Sequence, residues 1–211
     1  MANFVIDLAP LRKSRDFSLL WAAGLISYFG SMITYVAVPF QVKELTGSYV
    51  AVAISGLVEI VPLIIFGLYG GVLADALDRK KLIWITELLS LLFTAILLIN
   101  SMMDSPSLLL IYIVSGLFAA TSGLRQPAMQ AALPRLVDHE DMTAAAALMS
   151  LRWQVGVIVG PAIGGILIST YSVAVGYAAD IATFIVSIAL IAFMKNIPPS
   201  HEAEAPSLSA L

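Results

Sequence analysis

Gly70-Gly71-Val72-Leu73-Ala74-Asp75-Ala76-Leu77-Asp78-Arg79-Lys80-Lys81 closes one long apolar run and is followed at once by another. Paired glycines, an aspartate and three consecutive cations in so short a stretch mark a turn between two apolar segments. In lipid they read as a tight cytoplasmic turn joining two spanning helices. The glycines let helix backbones approach closely, and Arg79, Lys80 and Lys81 hold the turn on the inner side.

The composition agrees. Hydrophobic residues make up 60% of the 211 and charged residues only 12%, with a mean hydropathy of +0.95. A soluble domain carries about a quarter charged residues, so a lipid bilayer is the expected solvent. The absence of cysteine excludes a disulfide framework, a thiol nucleophile and a thiolate metal site, and leaves the redox compartment open. His139 and His201 both lie in polar connecting segments, so neither a metal centre nor another cofactor is expected. No nucleic-acid partner is expected either.

Residues 1–16 form a polar N-terminal segment carrying Arg12, Lys13 and Arg15. The uncharged run from Phe17 to Val42 that follows is long enough to cross roughly 30 Å of hydrocarbon at about 1.5 Å per residue. It is too long for the core of a secretory signal, so it is expected to be a retained first span. Trp21, Tyr28 and Tyr35 on it read as packing or interface anchors. After a polar turn at Lys43–Ser48, span two covers about Tyr49–Ala74, span three about Leu82–Met103 and span four about Leu108–Met129. Gln130–Thr143 reads as a polar connection. Residues 144–194 exceed one span and are split by Ser169-Thr170-Tyr171-Ser172 into spans five and six. The six-helix bundle therefore occupies residues 17–195, and residues 196–211 read as an acidic, Pro/Ser-bearing linker.

Orientation follows from the cations. With the N-terminus inside, inner segments hold Arg12, Lys13, Arg15, Arg79, Lys80, Lys81, Arg135 and Lys195, and outer turns hold only Lys43. Both termini are expected in the cytoplasm, with the bundle in the cell membrane. The order of the spans also suggests symmetry. Span two contains Gly67-Leu68-Tyr69-Gly70-Gly71, and span five contains Pro161-Ala162-Ile163-Gly164-Gly165. Two three-helix units in tandem must be inverted relative to each other, the plan of many secondary transporters. Packing of small residues without a repeat is the competing account.

The opening stretch resembles the loop signature between helices two and three of the major facilitator superfamily. Gly71, Leu73, Asp75, Arg79 and Lys80 match it, while Ala76 replaces a usual cation and Asp78 a usual glycine. Gly156-Val157-Ile158-Val159-Gly160-Pro161-Ala162-Ile163-Gly164-Gly165 resembles the helix-five antiporter motif of that superfamily's exporters. Pro127-Ala128-Met129-Gln130-Ala131-Ala132-Leu133-Pro134-Arg135-Leu136-Val137 resembles the segment after helix four in the branch that includes enterobactin and macrolide efflux proteins, with Met129 in place of an arginine. Asp180-Ile181-Ala182-Thr183-Phe184 resembles that branch's sixth helix. The resemblance covers nearly the whole chain.

What it implies is an all-α integral membrane protein. Its six transmembrane helices would form two inverted three-helix repeats, half of a twelve-helix facilitator fold whose C-terminal six-helix half is missing. It further implies efflux of a small molecule, siderophore or drug-like, coupled to protons by alternating access. Asp75, Arg79 and Lys80 would form a conformational latch. Gly156, Gly160, Pro161, Gly164 and Gly165 would lie at the interface between halves.

Ionisable groups inside spans cost about 2.5–3.5 kcal/mol each and tend to face a cavity or a partner. Glu59, halfway along span two, is the first candidate for carrying a proton or contacting substrate, against a structural carboxyl. Asp180 in span six and Arg152 in span five are candidates for the pathway, with structural salt bridges as the alternative. Arg152 would suit an anionic substrate. Arg125 and Glu87 are expected to snorkel from the inner ends of their spans. No covalent chemistry is indicated, and no phosphate-binding loop. The rival readings are an uptake symporter of the same fold and a non-transporting scaffold or truncated remnant.

Overall fold

The computed structural model describes residues 7–198, so the start of the N-terminal segment and most of the acidic tail, His201 included, lie outside the described residues. The elements are a short helix α1 (Ala9–Lys13) and six long ones: α2 (Arg15–Thr46), α3 (Tyr49–Ala76), α4 (Arg79–Ser101), α5 (Leu108–Leu136), α6 (Met142–Thr170) and α7 (Val173–Ala192). A 3-10 turn, His139–Asp141, precedes α6. The six long helices are the six predicted spans, and each is apolar enough to cross a bilayer.

The breaks fall where side chains can satisfy free helix ends. Ser14 Oγ accepts from the Phe17 amide at the start of α2, and Gly47 ends that helix in the left-handed region at φ 64°. Ser48 caps α3, Ser107 caps α5 and Ser172 caps α7. Asp78, anomalous in the loop signature, caps α4 by accepting from the Lys81 amide at 3.1 Å.

Two boundaries differ from expectation. α2 absorbs Lys43–Thr46, leaving Gly47 and Ser48 as the whole turn. The polar connection expected over Gln130–Thr143 is largely helical: α5 continues to Leu136 with Pro127 and Pro134 inside it. Ala128, Ala131, Ala132 and Leu133 are strong helix formers. A proline inside a spanning helix is tolerated where neighbouring helices and side chains satisfy the backbone groups it frees. The chain leaves helical geometry only at Val137 and Asp138.

Packing relates the two three-helix units by the expected inversion. α3 lies along α5 as α6 lies along α2, α4 packs on α5 as α7 packs on α2, and α4 meets α7 across the pseudo-twofold. This is a pair of inverted three-helix repeats. Small residues carry the crossings, since lipid offers no hydrophobic drive between helices. A Cβ on Gly70 would lie 2.9 Å from Leu124 Cα, and one on Gly123 would lie 2.7 Å from the Leu63 carbonyl. In the other repeat Gly164 meets the backbone of Ile33.

The interior is layered. One apolar cluster (Leu20, Leu82, Ile83, Ala128, Ile191) fills the end of the bundle at the start of α2 and the end of α7, and another (Val38, Leu97, Ile111, Tyr177) fills the opposite end. Between them runs a buried polar layer that includes Ser27, Thr34, Glu87, Ser90, Thr94, Arg125 and Asp180. Large apolar side chains such as Leu57, Leu68 and Ile158 point outward. Apolar outside and polar within is the arrangement for a bilayer.

Candidate functional site

A cavity of about 470 Å³ opens at mid-height of the bundle, walled mainly by α2, α3 and α5. Tyr28, Tyr35, Phe118 and Trp153 supply aromatic surface, and Glu59 and Arg125 supply charge. Tyr28 and Tyr35, expected as packing or interface anchors, thus line this space. Trp21 does pack inside the protein, donating from Nε1 to the Leu148 carbonyl at 2.9 Å. Glu59 is half-buried. The ion pairs among the described residues are Lys13–Asp141, Asp75–Arg79 and Glu87–Arg125, so Glu59 has no cationic partner there.

Glu87 and Arg125 do not snorkel. Arg125 Nη1 meets Glu87 Oε1 at 2.8 Å, with both side chains buried, and Ser27 Oγ donates to the same oxygen at 2.9 Å. The reason is the extra length of α5. Ending the helix at Met129 puts Arg125 at the membrane edge. Continuing it to Leu136 leaves Arg125 about 16 Å from the helix end rather than about 6 Å, at about 1.5 Å per residue. Two long side chains that cannot reach water must pair.

Asp180 is fully buried on α7. It accepts hydrogen bonds from the hydroxyls of Thr34 on α2, Thr94 on α4 and Thr183 one turn on. It has no ion pair among the described residues, so the salt-bridge alternative does not apply to it. Gly30 makes the fit possible, because a Cβ there would collide with Thr183 and Asp180. These threonine partners, and Ser27, were missed by sequence reasoning. A signal for the layer exists in α4, where Thr86, Ser90 and Thr94 recur every four residues within an apolar span.

Arg152 is buried where α2, α5 and α6 meet. A Cβ on Gly24 would collide with its guanidinium, Nη1 lies 3.7 Å from Met129 Sδ, and Nε has no hydrogen-bond partner. No salt bridge forms there among the described residues. Beside it a second cavity of about 460 Å³ is lined by Gln126, Gln130, Ser150, Trp153 and Gln154.

The glycine-rich motif of α6 turns inward. Gly156 meets Tyr28, Gly160 meets Met32 and the Phe29 carbonyl, and Gly164 meets Ile33. Expected at an interface between halves, these three glycines instead pack on α2 within this half. A Cβ on Gly165 would touch nothing within 4 Å. Pro161 lies inside α6 without ending it.

In the loop signature, Asp75 lies 3.8 Å from Arg79 and is largely exposed. Arg79 donates from its amide to the Ile197 carbonyl at 3.0 Å and from Nη1 to the Pro198 carbonyl at 2.8 Å. Lys80 Nζ donates to the Ala192 and Met194 carbonyls, placing its charge at the negative end of α7. The two cations therefore fasten the start of α4 to the segment that follows α7. Gly70 is packed, whereas Gly71 of the signature faces open space. At the same end Lys13 pairs with Asp141 at 2.8 Å, tethering α1 to the turn before α6. That hydrogen bond, with the attraction of the carboxylate, raises the Lys13 ammonium above the ordinary lysine value.

Inverted three-helix repeats around a mid-height cavity, with a layer of buried polar and charged side chains inside, follow the plan on which many secondary transporters are built. The chain belongs to the transmembrane secretion effector family of the major facilitator superfamily, which it matches over residues 5–208. It is 32% identical over 213 aligned positions to the enterobactin exporter of Shigella boydii serotype 18, and equally to those of Escherichia coli O1:K1 and Citrobacter koseri. Each alignment covers 99% of this chain and 50% of the relative. The chain therefore spans about half the length of the curated relatives it matches.

Proposed function

We propose that this chain is the N-terminal half of a proton-coupled exporter that moves a small molecule, siderophore or drug-like, across the cell membrane by alternating access. The observation that carries this reading is the mid-height cavity, where Glu59 stands without a cationic partner on an otherwise largely apolar and aromatic wall. Relatives about twice as long are named enterobactin exporters. A second six-helix half would close the cavity, and rocking of one half against the other would alternate its access.

In this reading both termini face the cytoplasm of a bacterial-type inner membrane, and residues after Pro198 lead to the second half. Glu59 takes up a proton where the cavity opens to the outside and releases it inside, and Asp180 is the second carboxylate able to do so. Asp75, Arg79 and Lys80 form a latch that braces one state of the cycle, with some of its partners in the second half.

The test is transport by the full gene product in inverted membrane vesicles, with enterobactin and a macrolide as trial substrates. An imposed proton gradient should drive uphill accumulation, and a protonophore should abolish it. Glu59→Gln should cut uphill accumulation about tenfold or more while sparing downhill counterflow, because only the proton-carrying step is removed. Unimpaired uphill transport in a Glu59→Gln/Asp180→Asn double variant would refute the coupling. Comparing counterflow in inverted and right-side-out vesicles separates export from uptake.

A further inference from the structure

We infer that Arg152 is the anchor of an anion subsite, built to take the carboxylate or a like oxyanion of a planar organic molecule at the terminus-side mouth of the pathway. The inference rests on reading this face as a wall of a transport route. It assigns a charge class to the cargo and a place, distinct from Glu59, where that charge is first held.

Arg152 is only 7% exposed, yet its guanidinium touches no carboxylate among the described residues. A buried cation without a counter-charge is strongly unfavourable unless something else supplies one. Glu87 makes no contact with Arg152, and its Oε1 is held by Arg125 and Ser27. Asp180 is held separately, by threonine hydroxyls.

The surroundings carry the polar groups that a ligand would need. Gly24 leaves on α2 the space that the guanidinium occupies. Gln126, Gln130, Ser150 and Gln154 stand around the adjoining cavity, exposed at the level of two spanning helices. Four amide or hydroxyl side chains facing hydrocarbon would be costly, so this face is a wet one. Glutamine amides can donate to oxygens that the guanidinium leaves free, and the planar fork of arginine matches a carboxylate in two-point contact. Trp153 lines both this cavity and the central one. Its indole offers a stacking face for an aromatic ring and a route from one space to the other.

The experiment measures binding, not transport, so that failure of export and failure of the subsite are told apart. In the full gene product, purified in neutral detergent, Trp21→Phe and Trp84→Phe leave Trp153 as the indole of this half. Any tryptophan encoded beyond Leu211 would be replaced in the same way. Salicylate should quench its emission saturably, and benzamide, equal in shape but uncharged, should not. Arg152→Gln should weaken salicylate binding about tenfold or more, and Arg152→Lys should restore part of it. Gly24→Ala keeps the arginine but displaces it, and should also weaken binding while the protein retains its elution volume and melting temperature. Equal response to salicylate and benzamide, or salicylate binding unchanged in both Arg152→Gln and Gly24→Ala, would overturn the inference. So would a Trp153 that responds to phosphatidylglycerol in nanodiscs but not to salicylate, since the anion held would then be a lipid headgroup.

Discussion

At the scale of single residues, burial without water decides which charges can exist. Glu87 and Arg125 are tolerable because each is the other's partner, with Ser27 adding a donor to the carboxylate. Arg125→Ala should therefore lower stability by about 3–5 kcal/mol, since it leaves a carboxylate buried and unpaired. The double variant Glu87→Gln/Arg125→Met should recover most of that loss. Thermal unfolding followed by size-exclusion of the detergent-solubilised protein would show it, and equal loss in the single and double variants would sink the ion-pair account. The sequence displayed Glu87 and Arg125 as two charges in two spans. Their pairing was invisible, because it depends on the rotation of α4 against α5 and on where α5 ends.

At the scale of elements, the glycines sort into those that carry a crossing and those that do not. Gly123 meets backbone atoms of α3, which cannot move aside as a flexible side chain can, whereas Gly71 has open space before it. Gly123→Ala should push α3 from α5 and lower the melting temperature by several degrees, about 1–3 kcal/mol of overpacking. Gly71→Ala should leave the melting temperature of this half unchanged. An indifferent Gly123→Ala would mean that the α3–α5 crossing is looser than described. The existence of these helices was legible in six apolar runs, and two boundaries were legible in the polar turns Lys43–Ser48 and Ser169-Thr170-Tyr171-Ser172. The long α5 was not, because Pro134 and five charged or histidine side chains from Arg135 to Asp141 resemble a loop. An α-helix makes its hydrogen bonds through the backbone, so polar side chains do not by themselves end it.

At the scale of the whole molecule, the distribution of cations predicts which end faces which compartment. The chain contains no cysteine, so single cysteines can be introduced on a clean background. A cysteine replacing Ser105, between α4 and α5, should react with a membrane-impermeant maleimide in intact cells. One replacing His139, between α5 and α6, should react only after the membrane is opened. The reverse pattern would invert the proposed orientation and, with it, the side on which Arg152 lies. The fold at this scale is a consequence of symmetry: an odd number of spans per repeat forces inversion, and inversion brings the second helix of each repeat onto the first of the other.

Composition, run length and cation placement were enough to determine a six-span membrane bundle, because each is a local property of a chain in lipid. Backbone groups must be satisfied within a helix, and hydrocarbon thickness sets its length. The candidate charges Glu59, Arg152 and Asp180 were also visible, since any ionisable residue in an apolar run stands out. What each of them faces was decided only by tertiary structure. Glu59 borders a cavity, Asp180 is held by threonines from three helices, and Arg152 is packed into the space left by Gly24. Those contacts join residues far apart in the chain, and helix rotation, on which sequence periodicity is nearly silent when every face is apolar, sets them.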